Sequence, residues 1–477
     1  YNTGLSANEL IARIGNGFSA IDTLDDVTWL LTPKQYEILK RNASFLIAMA
    51  VPDLSLYCPK TSKESMLHPF SRRYIDPPKD EPVIGVIDTL FDDSVYFSSW
   101  VDYHQVLEGE FTDKEDYIHG TAVTSIIVDG PSLNPALDDG CGRFRVRHFG
   151  IATYRPLSSV YIMKSIERIV EENPDIKVWN LSLGSSNPIS MNSISPEASI
   201  LDRLQYEHDC LFVVSGTNAP DNQNGTFPPI GAPADSINSI VVNSVDFSSL
   251  PASYSRRGPA LSFFTKPDLS AFGGTAENPV TVYSPRGIEK KSGTSFACPW
   301  IARKAAYLIY VMGLSRESAK ALLIDSAAGW NTDIKNITLK GYGAVPVKID
   351  KILQTPNDEI RFILEGNVLD WETYNMRLPI PFRKEGFPYR VRFTLAYFPR
   401  CSRNQGVDYT DTELDVHFGR LKKDGIKSIN NNEQGEPYFI DLSEELARKL
   451  FRKWDNVKHV TEGLNDRAKI KGFLSDN

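Results

Sequence analysis

No apolar run in this chain is long enough to cross a bilayer as a helix, so no transmembrane helix is expected. A surplus of positive charge is also missing. Lys and Arg number 52 against 60 Asp and Glu, a net charge of -8, which argues against a polyanion such as nucleic acid as the main ligand. Cysteine is scarce: Cys58, Cys141, Cys210, Cys298 and Cys401 are too few and too scattered for a disulfide framework. They read as free thiols in a reducing compartment. The chain opens at Tyr1 with no charged-then-apolar leader. A cytoplasmic location is therefore expected, with secretion after loss of a signal as the alternative. No Cys or His pair has zinc-site spacing, and there is no internal repeat or low-complexity segment. What remains is an ordinary globular composition, 41% hydrophobic and 23% charged. Its 477 residues are too many for one ordinary domain.

The pattern divides the chain into zones. Residues 1–60 form a small α+β unit. A helix is expected over Leu5–Ile14, a second is capped by Thr32 with Pro33 at its first position and Gln35 closing a capping box, and Phe45–Val51 reads as a buried strand. Residues 61–82 are a polar linker with paired prolines at 77 and 78. Residues 83–345 alternate apolar strands (Val83–Ile87, Phe144–Phe149, Val178–Leu183, Leu211–Val214, Ile240–Val245) with helices at 120–128, 159–172, 196–208, 296–312 and 315–327. Such alternation predicts a doubly wound α/β domain, and continuous apolar strands predict a parallel sheet covered on both faces. Residues 346–477 switch to period two at Glu359–Gly366, Asn375–Ile380 and Tyr389–Tyr397, the pattern of antiparallel strands in a β-sandwich-like domain.

Three segments of the middle zone carry candidate chemistry. Pro82-Val-Ile-Gly-Val-Ile-Asp88-Thr places a carboxylate at the carboxyl end of a buried strand, where such sheets hold ligands. Taken alone, Asp88 reads more readily as a turn-capping residue, as most Asp at strand ends do. His119-Gly-Thr-Ala-Val opens an apolar helix, where the positive end of the helix dipole disfavours imidazolium and favours the neutral base. Ser292-Gly-Thr-Ser295 puts a hydroxyl in the first turn of another apolar helix, a place Ser also occupies for capping alone.

In this order the segments resemble the subtilisin-like serine proteases, whose chain order is Asp, His, Ser. The likeness extends to Asn180-Leu-Ser-Leu-Gly, to Phe212-Val-Val-Ser-Gly-Thr-Asn218, to Ala252-Ser-Tyr-Ser-Arg-Arg-Gly-Pro and to Lys266-Pro-Asp-Leu. The resemblance implies a serine endopeptidase acting on proteins or peptides. Ser295 is the implied nucleophile, His119 the base, Asp88 the group that orients it, and Asn218 the oxyanion donor. Ser182, Leu183 and Gly184 are implied to pair with substrate backbone, and Ser215, Gly216 and Thr217 to border the primary pocket. The segment Asp221–Pro233 is expected to wall that pocket, with Asp221 or Asp235 facing a basic side chain.

Residues 1–60 resemble the inhibitory prodomain of the same family, which implies a zymogen or a built-in inhibitor. No cofactor is expected. Structural calcium is common in the family, but no loop shows a recognisable ligand spacing. An activating protein partner such as an ATPase, or self-association, is suggested by the resemblance alone. Nucleic acid and membrane are not expected partners. The competing class is a protease-fold binding or scaffolding protein without turnover. Leu90 and Thr217 stand in place of glycines, Ala122 in place of a second His, Cys298 in place of a Ser, and Trp300 is bulky for its place, yet none removes a catalytic group. The features that favour the competing class are Thr217, the retained prodomain-like segment and the extra β domain.

Overall fold

A computed structural model describes residues 22–25, 28–42, 73–107, 112–155, 157–219, 226–330, 336–369, 390–414, 419–422, 425–428 and 454–463. Near the N-terminus, β1 (Asp22–Asp25) and β2 (Thr28–Leu30) pair antiparallel and lead into α1 (Pro33–Asn42). The capping box at Thr32 forms: Gln35 N–H donates to Thr32 Oγ1 and Thr32 N–H to Gln35 Oε1. The helix expected over Leu5–Ile14 and the strand expected over Phe45–Val51 lie outside the described residues.

The core is a seven-stranded parallel sheet. Its strands are β3 (Val83–Thr89), β4 (Val101–Gln105), β5 (Arg145–Ala152), β6 (Val178–Leu181), β7 (Leu211–Ser215), β8 (Ile240–Val245) and β9 (Leu269–Phe272). They lie in the order β4-β5-β3-β6-β7-β8-β9. Neighbouring residues of one strand feed different cores. Ile84, Val86, Val178, Leu211, Val213, Ile240 and Val242 face one, and Ile87, Trp179, Phe212, Val214 and Val241 face the other. A strand buried on both sides has no wet face, which is why these runs are apolar throughout.

Helix α2 (Ile118–Leu133) covers the first face, together with the helices of residues 294–306 and 316–328. The second face is covered by α3 (Ser159–Glu172) and α4 (Pro196–His208). The hairpin β10 (Val280–Ser284) and β11 (Gly287–Lys291) precedes α5 (Thr294–Ala306), in which every residue is buried. The expected helix 296–312 ends early as an α-helix, since Tyr307–Val311 continues as a π-turn before Gly313, and α6 (Arg316–Ala328) follows. The winding reverses beside β3, where the chain leaves toward β5 and returns to β6 on the other side. Ligand crevices form at the carboxyl ends of strands at such a reversal.

Two strands of this sheet were not legible in the pattern. β4 is an edge strand with mostly exposed residues, Val-Asp-Tyr-His-Gln, and β9 is short, with only Leu269 and Phe272 as large apolar residues. In the C-terminal part, β12 (Arg390–Ala396) pairs antiparallel with β15 (Val457–Gly463), and β13 (Gly419–Lys422) with β14 (Gly425–Ser428). Glu359–Gly366 forms no strand. Ile360, Phe362, Ile363 and Leu364 are exposed, because a period-two pattern becomes a strand only when a partner edge accepts its hydrogen bonds. Asn375–Ile380 lies outside the described residues.

The C-terminal strands are tied to α6. Arg392 makes a two-pronged pair with Asp325, both bonds 2.8 Å, and the Arg316 guanidinium lies 4.3 Å from the Phe398 ring centre. Among the described residues no helix is long and apolar enough to cross a membrane.

Candidate active site

Asp88 is fully buried at the carboxyl end of β3. Its Oδ1 accepts the Thr89 N–H at 2.7 Å and lies 2.6 Å from His119 Nδ1. His119 is the second residue of α2 and is 2% exposed. The strand end and the helix start are bolted together around it. Gly120 N–H donates to Thr89 Oγ1 at 2.8 Å, and a side chain at Gly120 would stand 2.5 Å from the Thr89 carbonyl oxygen, so only glycine permits this approach.

Beneath lies His148 on β5, a residue that no motif in the sequence marks. Its Nε2 is 2.7 Å from the Thr89 carbonyl oxygen and its Nδ1 is 2.9 Å from Thr124 Oγ1. A carbonyl can only accept, so Nε2 carries the proton and Nδ1 accepts from the Thr124 hydroxyl. Burial pushes His148 down to about 4, which keeps it neutral and preserves both bonds. Its signal in the sequence was a histidine within a strand that is otherwise apolar at Phe144, Val146 and Phe149.

Ser295 is the second residue of α5, 5% exposed, and its neighbour Phe296 packs against the His119 ring with centres 5.8 Å apart. Pro299 cannot donate a helical hydrogen bond to the Ser295 carbonyl. That oxygen instead accepts from Ser182 Oγ at 3.3 Å, and Ser295 Oγ donates to the Ser182 carbonyl at 3.3 Å. The nucleophile candidate and the segment after β6 are thus held side by side. Asn180 Nδ2 donates to Ser182 Oγ at 3.1 Å, and Leu183 anchors the segment in the second core.

Asn218 follows β7. Its Oδ1 accepts from both the N–H and the hydroxyl of Thr294, each at 3.0 Å. Because those partners are donors, the amide oxygen is fixed toward Thr294 and the Nδ2 donor faces the start of α5 beside Gly293. The same helix end presents the positive pole of its dipole. The structure therefore brings Asp88, His119, Ser295, Asn218 and Ser182–Gly184 together in one cluster beside the carboxyl ends of the central strands.

Ser215, Gly216 and Asp235 are each fixed by neighbouring elements. Ser215 pairs with Val242 of β8, and the Gly216 N–H donates to the Val242 carbonyl at 2.8 Å, so both are held by the sheet. Asp235 faces no substrate. It is fully buried and accepts the Ser195 N–H and hydroxyl, both at 2.7 Å, at the start of α4. Asp221 lies outside the described residues. No group of three or more His, Cys, Asp or Glu among the described residues has an arrangement fit for a metal ion.

Burial pushes the Asp235 carboxyl up from 3.8 to about 6, more than its bonds to Ser195 pull it down. A raised carboxyl favours folding while protonated, so this contribution is present below about pH 4 and is lost as pH rises through about 6. Asp235→Asn keeps an acceptor for the Ser195 N–H and offers its amide to the Ser195 hydroxyl. It is expected to be more stable than the parent at pH 7 by on the order of 2 kcal/mol, with the two equal near pH 4. Denaturant unfolding of both chains from pH 4 to 8 checks this, and a parallel pair of curves refutes it.

Comparison with known proteins adds a family to this geometry. The family model described as the subtilase family of peptidase S8 matches residues 79–346. Among curated proteins, an uncharacterized protein of Sinorhizobium fredii is 26% identical over 324 residues, 54% of this chain and 74% of that protein. A subtilisin-like protease 2 of Pseudogymnoascus destructans is 31% identical over 149 residues, 31% of this chain and 32% of its own length. Among solved structures, a prenylagaramide maturation protease has a TM-score of 0.44 at 21% identity, covering 57% of this chain and 93% of that one. The epidermin leader peptide processing serine protease of Staphylococcus aureus has a TM-score of 0.46 at 16% identity, covering 60% and 78%.

Proposed function

This chain belongs to the subtilase family, and from that premise we propose that it is a serine endopeptidase that cleaves proteins or peptides through Ser295, His119 and Asp88. The observation that carries the reading is the 2.6 Å contact between Asp88 Oδ1 and His119 Nδ1 in a fully buried setting. It fixes the imidazole with Nδ1 protonated, so Nε2 is the basic nitrogen. That nitrogen takes the Ser295 proton as Oγ bonds to the scissile carbonyl carbon, and returns it to the leaving amine as the C–N bond breaks. Water then releases the acyl group by the same route.

The oxyanion is received by Asn218 Nδ2 and the Ser295 N–H at the start of α5. Substrate backbone lies along Ser182–Gly184 as an added strand, a mode that gives affinity without sequence choice. Family membership supports peptide substrates, and the resemblance of residues 1–60 to a prodomain supports latency in the full chain.

A fluorophosphonate probe tests both statements, with adducts located by peptide mass spectrometry. Labelling on Ser295 is expected. Absence of an adduct, both in the full chain and after removal of residues 1–66 from a chain shown to remain folded, favours a protease fold kept for binding. Equal labelling with and without residues 1–66 removes the latency statement and leaves the enzyme.

A further inference from the structure

Thr217 adopts φ +63, the left-handed region that glycine enters freely and β-branched residues avoid. It is 5% exposed, and both branches of its side chain are engaged. The hydroxyl accepts the Gly231 N–H at 2.9 Å. The methyl, Cγ2, stands 2.5 Å from the point where a side chain on Gly184 would begin. Thr217 therefore bridges the segment after β6 to the loop at 230–232. Those two segments are themselves joined, by Ser185 N–H to the Ala232 carbonyl at 2.7 Å and Ile189 N–H to the Ile230 carbonyl at 2.9 Å.

This filled space adjoins the reacting atoms. Ser182, two residues before Gly184, touches Ser295 Oγ, and Asn218, next to Thr217, is bonded to Thr294. A peptide whose carbonyl carbon meets Ser295 Oγ must turn its carbonyl oxygen toward Asn218 and run its backbone along Ser182–Gly184. The side chain of the residue that supplies this carbonyl then falls between Gly184 and Thr217.

We propose that Thr217 is a specificity-determining residue that shuts this gap to side chains larger than a methyl, so that the enzyme cleaves after glycine or alanine. The inference rests on the reading of Ser295 as nucleophile. Glycine at position 217 would leave the gap open, and it would suit the backbone better. The threonine keeps this strained backbone because its hydroxyl is bonded to Gly231 and its methyl is seated against Gly184.

The test is a set of matched peptides that differ only in having Gly, Ala, Leu or Phe on the acyl side of the scissile bond. They are assayed with the full chain, with Thr217→Gly and with Thr217→Ser, and Ser295 labelling by a fluorophosphonate is followed in each. The parent is expected to favour Gly and Ala over Leu and Phe by about 100-fold in kcat/KM, the range one or two misfitting methylenes impose. Thr217→Gly is expected to raise kcat/KM for Leu and Phe by about 10-fold or more relative to Gly. Thr217→Ser, which keeps the hydroxyl for Gly231 and drops only the methyl, is expected to fall between. A parent that cleaves after Leu or Phe as well as after Gly overturns the proposal, as does a Thr217→Gly chain that cleaves with an unchanged profile. Failure of Ser295 to react with the probe in all three chains, both at full length and after removal of residues 1–66, overturns the nucleophile assignment, and the closed gap as a specificity device with it.

Discussion

Ser295→Ala is expected to lower turnover on the order of a millionfold while the fold survives. The change removes the attacking oxygen and nothing else in the cluster depends on it strongly. The Ser295 hydroxyl donates one long bond, 3.3 Å, to the Ser182 carbonyl, whereas the bonds that set the start of α5 belong to Thr294 and Asn218. Losing one such neutral bond costs about 1 kcal/mol, so the melting temperature should move by only a few degrees. Substrate should still bind along Ser182–Gly184. The residual rate then measures what Asn218 and the helix end supply without a nucleophile, about 10³–10⁴ over water in related constellations. Rate assays with the variant at high concentration, alongside calorimetry, check both halves. Retention of a tenth of the parent rate is incompatible with the assignment.

The parts of this site that could be read in the sequence are those in which one residue does its work through a local element. Asp88 ends an apolar strand, and His119 and Ser295 begin apolar helices. Each stands where strand and helix geometry alone put it. The parts that could not be read are pairings across the sheet between residues distant in the chain. Leu90, Trp300 and Thr217 look like misfits in isolation. In the fold each faces a glycine that makes room for it. A side chain at Gly150 would begin 2.9 Å from Leu90 Cδ2, one at Gly130 would begin 2.8 Å from the Trp300 ring, and one at Gly184 would begin 2.5 Å from the Thr217 methyl. These glycines carry no local signal, because the volume they vacate is filled from another element. His148 escaped notice for the same reason: its partners, Thr89 and Thr124, come from β3 and α2. The C-terminal pattern misled in the opposite direction. Period two in Glu359–Gly366 states what a strand needs from its own residues and says nothing about whether an edge is there to receive it.

The second large effect concerns the carboxylate. Asp88→Asn is expected to reduce kcat by about 10⁴ with KM little changed. The argument starts from the crowding of one oxygen. Asp88 Oδ1 accepts from the Thr89 N–H at 2.7 Å and meets His119 Nδ1 at 2.6 Å, while Oδ2 is buried without a hydrogen-bond partner in the described structure. Asparagine has one oxygen and one NH₂ group to set in these positions, and each orientation fails in its own way. With the NH₂ turned toward His119, it donates to Nδ1 and forces the proton onto Nε2, the atom that must accept from Ser295. It also faces the Thr89 N–H, donor against donor. With the NH₂ in the place of Oδ2, the tautomer is kept, but a buried donor is left without an acceptor, at about 1–3 kcal/mol, and the imidazolium formed during attack loses its counter-charge. The first orientation removes the base and the second destabilises both fold and transition state. Measured kcat separates them from a merely structural role, because an unfolding defect lowers the amount of active protein without changing the rate per site titrated by the fluorophosphonate. A titrated Asp88→Asn chain that turns over within tenfold of the parent would show that His119 does not depend on Asp88, and the triad reading would fail at its buried end.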